Sequence, residues 1–227
     1  MIERKFISEK IKEFQIGEYI KNTLRNVGLS STKLQRTPLG EKIVVHASRP
    51  GLIVGKGGQN IKQLTKTLKK KFNLENPQIA ISEVEDQNLD VNIVAERIAD
   101  TIERYGVSKF KGVAHKAMTN VMKAGAHGIE IIISGKIPSA RAKSWRFFTG
   151  YMKKCGDVAT TEVKYAYANA QLKSGTVGIK VSIMPPTAVL LDKVAIKDVK
   201  TENTQSQQNP TVEGKNEVEK QGDKQPQ

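Results

Sequence analysis

Residues 50–61 read Pro-Gly-Leu-Ile-Val-Gly-Lys-Gly-Gly-Gln-Asn-Ile, with four glycines in eight residues and one lysine among them. An apolar run precedes this stretch (Ile43, Val44, Val45). A run stepping at three, four and four follows it (Ile61, Leu64, Leu68, Phe72), which is one face of an α-helix. The glycines Gly55, Gly57 and Gly58, with Lys56 between them, therefore fall just before a helix N-terminus. Glycine carries no Cβ, so another backbone can approach closely. Unpaired amides at a helix start attract anions, and Lys56 adds a full positive charge. The chemistry on offer is phosphate binding.

Spacing decides which phosphate. A nucleotide-binding loop needs Gly, four residues, Gly-Lys and then Ser or Thr. Here Gly51 has only three residues before Gly55-Lys56, and Gly57 stands where the hydroxyl should be. A dinucleotide fingerprint fails too, because Asn60 fills its third glycine position. What fits is Ile-Val-Gly-x-x-Gly-x-x-Ile, carried by Ile53, Val54, Gly55, Gly58 and Ile61. This resembles the KH domain, whose Gly-x-x-Gly loop clamps about four nucleotides of single-stranded backbone. The plain alternative is a tight turn between two helices that holds nothing.

The surrounding elements must position that loop. Apolar residues at Ile7, Ile11, Phe14, Ile20, Leu24 and Val27 broadly follow a helical period, with Gly17 a break between two helices and Gly28 a C-cap. Residues 30–37 read as an edge strand, 38–40 as part of a turn, and 42–47 as a second strand. Pro50 starts a short helix into the loop, a helix spans 59–72, and 77–84 is a strand with Ile79 and Ile81 on one face. That order, helix-strand-strand-helix-loop-helix-strand, is the one the resemblance to a type-two KH domain implies. Lys62, Lys66, Lys69, Lys70 and Lys71 line the outer faces of the long helix. They read either as a solvated face or, for Lys62 and Lys66 nearest the loop, as flanking phosphate contacts.

Beyond a short polar stretch at 85–88, Val91, Val94, Ala95, Ile98 and Ile102 form a helical stripe ended by Gly106. A second helix runs over 109–124, with Val113, Ala117, Met118, Val121 and Met122 inward. Strand-like alternation recurs at Ile129/Ile131/Ile133, at Val163/Tyr165/Tyr167 and at Val177/Ile179/Val181/Ile183. The fold class is thus α+β in two domains. Residues 1–85 form the N-terminal helices and KH domain (α-β-β-α-α-β), and 86–197 two helices on a mostly antiparallel sheet. Residues 198–227 read as a disordered polar tail, with four lysines, six acids and few apolar side chains.

The 227 residues carry a net charge of +14 with 38% hydrophobic residues. Because the tail contributes −2, the first 197 residues hold +16. Such an excess suits a polyanionic partner, either nucleic acid or an anionic membrane. No apolar run of about 18 residues exists for a membrane span, and no basic helix shows a long apolar face. A lone Cys155 and scattered His46, His115 and His127 argue against disulfides and zinc, and suit a reducing cytoplasmic setting. No acid/base pair, nucleophile triad or cofactor motif stands out, so the reading is of a binding protein without cofactor or small-molecule substrate.

A second basic stretch spans 136–154 and contains no acid. It holds Lys136, Arg141, Lys143, Arg146, Lys153 and Lys154, interleaved with Trp145, Phe147, Phe148 and Tyr151. Guanidinium forks pair with phosphates and aromatic rings stack on bases. Phe147 and Phe148 cannot both be platforms, so one of them packs inward. With Gly125-Ala126-His127-Gly128-Ile129-Glu130-Ile131, Ser134-Gly135-Lys136, Ala140-Arg141-Ala142-Lys143 and Gly178-Ile179-Lys180-Val181, the chain over about 1–190 resembles the family of small-subunit ribosomal protein three in its archaeal-type version. The resemblance implies binding of ribosomal RNA in the head of the small subunit. It also implies contact with neighbouring head proteins and a place near the entrance channel for messenger RNA. At that entrance the helix over 109–124 supplies Lys111 and Lys116, while Gly112 and His115 stand where bacterial relatives carry basic residues. The expected RNA contacts are Gly55, Lys56, Gly57, Gly58, Lys62, Lys66, Lys111, Lys116, Lys136, Arg141, Lys143 and Arg146. A free KH-type regulator of messenger RNA is the competing reading, and a nucleic-acid-cleaving enzyme a more distant one.

Overall fold

A computed structural model of the chain describes residues 2–25, 27–37, 40–74, 76–138 and 140–190. The tail expected to be disordered from residue 198 lies outside the described residues. Helix α1 (Ile2–Thr23) leads into strands β1 (Leu29–Thr37) and β2 (Gly40–Ala47), then α2 (Pro50–Val54), a single 3-10 turn (Lys56–Gly58), α3 (Gln59–Phe72) and β3 (Gln78–Glu83). The sheet runs β1-β2-β3, with β1/β2 antiparallel and β2/β3 parallel. Parallel pairing of β2 and β3 requires a crossover, and α2, the glycine loop and α3 are that crossover. Ile43, Val45 and Ala47 alternate into a core closed by Ile16 and Ile20 of α1, Ile53 of α2, and Leu64 and Leu68 of α3. Ile61, Phe72, Ile79 and Ile81 pack at its margin.

Gly17 does not break the first helix, which is continuous. A glycine inside a helix costs only about 1 kcal/mol relative to alanine, and Ile16 and Ile20 beside it are buried. A Cβ at Gly17 would lie 3.1 Å from the Thr32 hydroxyl, so the glycine lets β1 cross close to α1. The N-terminal half of the expected stripe stays outside the core: Ile7, Ile11 and Phe14 are exposed.

The second domain follows with α4 (Val91–Tyr105), a 3-10 turn (Val107–Lys109), α5 (Phe110–Lys123), β4 (Gly128–Gly135), β5 (Lys143–Gly150), α6 (Asp157–Thr161), β6 (Lys164–Leu172) and β7 (Gly175–Met184). The order is β5-β4-β7-β6, antiparallel throughout. One face of β4 and β7 meets the buried stripe of α4 and the inner side of α5. Two outcomes differ from expectation. β5 is a strand inside the basic stretch, where alternation gave no strand. Tyr165 and Tyr167 share a face, the solvent one (64% and 60% exposed), but Val163 does not join them: it is buried and precedes the strand, whose inward positions are Ala166 and Ala170.

On the open side of this sheet the buried carboxylate among the described residues is that of Glu130. Glu130 on β4 accepts from the Arg146 guanidinium of β5 and from Lys154 Nζ at 2.9 Å. Burial alone would push its carboxyl up, but the two cationic hydrogen bonds outweigh that and hold it below its ordinary 4.5. At the near end of the β4/β5 pair, two residues before Glu130, Gly128 faces Gly150 in register. A Cβ on Gly128 would come within 2.1 Å of the Tyr151 carbonyl oxygen, and one on Gly150 within 2.4 Å of the His127 oxygen.

Two outcomes follow for stability. Gly128→Ala should cost about 2–3 kcal/mol, since only backbone movement can relieve the clash; urea denaturation measures it. Glu130→Gln should cost about 1–3 kcal/mol at pH 7. A depressed carboxyl stabilises the fold above its unfolded-state pKa and loses that contribution as pH falls through its folded value. The gap between wild type and Glu130→Gln should therefore shrink in denaturation curves taken below the ordinary 4.5 of the group.

Candidate nucleic-acid interface

The glycine loop takes the shape its composition permits. Gly55 has φ 69°, Gly57 φ 60° and Gly58 φ 75°, three residues in backbone regions that L side chains rarely adopt. Their surroundings separate the three. A Cβ on Gly55 would lie 2.6 Å from the Asn60 side-chain amide, which donates to the Leu52 carbonyl at 3.2 Å. Gly55 is therefore a close-approach glycine that lets α3 lean back onto α2. Around Gly57 and Gly58 there is open space, with nothing within 4 Å of an added Cβ. That room is available to a ligand backbone.

Helix α3 begins at Gly58 with no side-chain cap and no acid in its first turn. Its N-terminal partial charge is left for an external anion. Lys56, Lys62 and Lys66 are exposed and make no ion pair among the described residues. The structure thus brings six of the expected contacts, Gly55, Lys56, Gly57, Gly58, Lys62 and Lys66, onto one loop and the helix it starts. Leu52, 51% exposed, and Val54 flank the same loop. Val54 belongs to the loop motif read from the sequence; Leu52 was not singled out there.

The second basic stretch divides. On the helix-facing side of β5, Trp145 stacks with Phe147 at 6.4 Å and tilts against Phe110 of α5 at 5.8 Å. Lys111 Nζ of α5 lies 4.8 Å from the Trp145 ring centroid and Lys143 Nζ 4.9 Å. His115 meets Phe147 edge-on at 5.5 Å. Lys111 and Lys143, 32 positions apart, are thereby joined on one half-buried indole. Arg146 points to the other face of the sheet, where it holds Glu130 and lies 4.9 Å from the ring of Phe148. Phe148 is 65% exposed and Phe147 half-buried, so one of the pair packs and the other does not.

The remaining expected contacts stand apart. Lys136 donates to the Ser174 carbonyl at 2.8 Å and bridges β4 to the β6–β7 turn. Arg141 is exposed in the segment before β5. Lys116 lies on the side of α5 that faces α4, away from Trp145. No group of three or more metal-ligating side chains occurs among the described residues, and Cys155 is exposed and free. No described helix is long and apolar enough to cross a membrane.

Two family models match successive parts of the chain. A family model for the KH domain matches residues 15–89, and one for "Ribosomal protein S3, C-terminal domain" matches residues 98–183. The small ribosomal subunit protein uS3 of Methanococcus aeolicus is 41% identical over 204 residues, covering 90% of this chain and 97% of the relative. That of Methanocaldococcus jannaschii is 42% identical over 198 residues, covering 87% and 94%. That of Methanobrevibacter smithii is 43% identical over 202 residues, covering 89% and 80%. With both domains matched in chain order and these relatives aligned nearly end to end, the chain belongs to the small ribosomal subunit protein uS3 family.

Proposed function

We propose that the chain is a structural, RNA-binding constituent of the small ribosomal subunit, with ribosomal RNA as its principal ligand. The observation that carries this is the open loop Gly55–Gly58 beside three unpaired lysines. Gly57 and Gly58 let a ribose-phosphate backbone approach, the uncapped start of α3 and Lys56 attract its phosphate, and Lys62 and Lys66 continue the positive track. Leu52 and Val54 offer apolar surface to unstacked bases. Lys111, Lys143 and Arg141 form a second contact, in which Trp145 fixes the two lysines. Arg146 and Lys136 contribute charge while also holding Glu130 and Ser174.

In this reading the boundaries at 85/86 and 197/198 separate the KH domain, the α+β domain and the tail. The RNA lies in the head of the subunit, Lys111 and Lys116 of α5 face the entrance channel for messenger RNA, and other head proteins are neighbours. No chemistry is required of any residue. Affinity comes from neutralised phosphates and falls with salt.

Lys56→Asp with Gly57→Asp tests the loop. Aspartate tolerates the left-handed conformation better than most residues and meets no atom at position 57, so the domain should stay folded with a small drop in its thermal midpoint. Affinity for single-stranded RNA should drop at least about tenfold, from one lost cation and two added anions; unchanged affinity would remove the loop from the interface. Lys56→Gln alone should lower the slope of log K against log salt by about 0.7. For the whole reading, a tagged copy should follow the small subunit through a sucrose gradient at moderate and at high salt. A copy that stays at the top, or leaves at modest salt, would point to a free RNA partner instead.

A further inference from the structure

Helices α4 and α5 enclose a second feature, of which the RNA-binding reading uses only Lys116. Between them runs a groove of about 730 Å³. Its floor is apolar and shallow: Val94, Ile98, Val113, Ala117 and Val121 line it. Its rim carries Arg97 and Arg104 from α4, Lys116 from α5, and Lys109 from the turn before α5, all exposed. No aspartate or glutamate is among the described residues that line it. Arg97 is held by neutral partners, Asn88 Oδ1 at 3.0 Å and Gln87 Oε1 at 3.4 Å, so its charge stays uncompensated. Lys109 Nζ lies over the Tyr105 ring at 5.7 Å, again without a carboxylate. Gly112 keeps the groove open, because a Cβ there would meet nothing within 4 Å.

We infer that this groove is a docking site for an acidic amphipathic helix of a partner protein. The floor and the rim ask for different things at once. An apolar strip between two helices accepts the i, i+4, i+7 side chains of a third helix laid along it. Four cations on the rim, with no acid among the lining residues, select carboxylates on the flanks of that helix. Nucleic acid would satisfy the rim but would leave the aliphatic floor in contact with sugar and phosphate. The floor itself is aliphatic; Tyr105 is the one aromatic ring among the described lining residues, and it stands at the rim with Lys109 over it. The small residues Gly112 and Ala117 on α5 are what give the incoming helix its depth. The Trp145 face of α5 remains free for RNA, so the two ligands can be held by one helix at the same time.

The test uses the full chain and a fluorescent peptide of about 15 residues with leucine at helical i, i+4, i+7 spacing and glutamate elsewhere. A peptide of the same composition in scrambled order is the control. Near-physiological salt is used so that bare charge attraction is screened. The helical peptide should bind saturably and at least tenfold tighter than the scrambled one. Gly112→Leu, which fills the groove and raises helix propensity, should weaken it at least tenfold, as should Arg104→Glu with Lys109→Glu. Both variants should keep the affinity of the chain for oligouridylate, which reports on the loop and confirms folding; Arg104→Lys should keep most peptide binding. Equal binding of the scrambled peptide, indifference to Gly112→Leu, or one-for-one displacement of the peptide by oligouridylate would each overturn the assignment, the last by making the groove an RNA site.

Discussion

The second domain depends on one cross-strand ladder. Ile129, Ile131 and Ile133 of β4 stand opposite Ile183, Val181 and Ile179 of β7, all six buried. β-Branched pairs of this kind pack well on a pleated surface, and each buried side chain is worth about 1.5–3 kcal/mol of transfer free energy before ordering costs. A one-residue slip would exchange them for Glu130, Ile132, Ser134 and Lys180, so the register is strongly specified. The rest follows from it. With β4 fixed, β5 can only add at its free edge, which sets Trp145 and Phe147 under α5 and turns Arg146 and Phe148 to the other side. With α4 packed on the ladder, Gly106 (φ 80°) turns the chain back so that α5 lies alongside, and the groove between the two helices is a consequence.

How much of this the sequence carries depends on where the deciding partner sits. The glycine loop and α3 are legible because everything that shapes them is local: three glycines, a helical apolar period, and Phe72 at its end. Gly17 misleads because the local penalty of a mid-helix glycine is small and the compensation, burial of Ile16 and Ile20 beside a close-crossing β1, comes from residues beyond Leu29. β5 is hidden for a similar reason. It is an edge strand that faces one helix only in part, and the adjacent Phe147-Phe148 breaks the alternation that would have announced it. Tyr165 and Tyr167 keep the period of a strand yet reverse its sense. Their neighbours Ala166 and Ala170 sit on the side of β6 that meets α4, so hydrophobicity alone does not tell which face is buried.

The same distinction governs the charges. Their excess is a property of composition and can be counted, but their division of labour is not local. Arg146 is drawn to Glu130, sixteen positions away, and Lys136 to a carbonyl thirty-eight positions away. Lys111 and Lys116, five positions apart on α5, end on different sides of that helix, one over Trp145 and one along the groove. Basic residues that look equivalent in a row therefore separate into those that hold the fold and those left to meet a ligand. Lys56, Lys111 and Lys143, which make no ion pair among the described residues, lie beside open glycines or an aromatic ring.

Helix capping shows what that arrangement costs. α4 begins at Asp90, whose carboxylate accepts from the Asn92 amide at 3.1 Å; the helix is finished at its start and packs as a structural element. α3 begins on a left-handed glycine with no cap, and carries Lys69, Lys70 and Lys71 at its other end. Those lysines favour the negative C-terminal pole and stabilise the helix, while the positive pole is left bare. A capping side chain there would add roughly 1 kcal/mol of stability, and would occupy the amides that a phosphate can use. The absence of an acid in the first turn of α3 is thus best understood together with Gly57, Gly58 and Lys56. All four choices sacrifice local stability or leave charge unpaired at the same point.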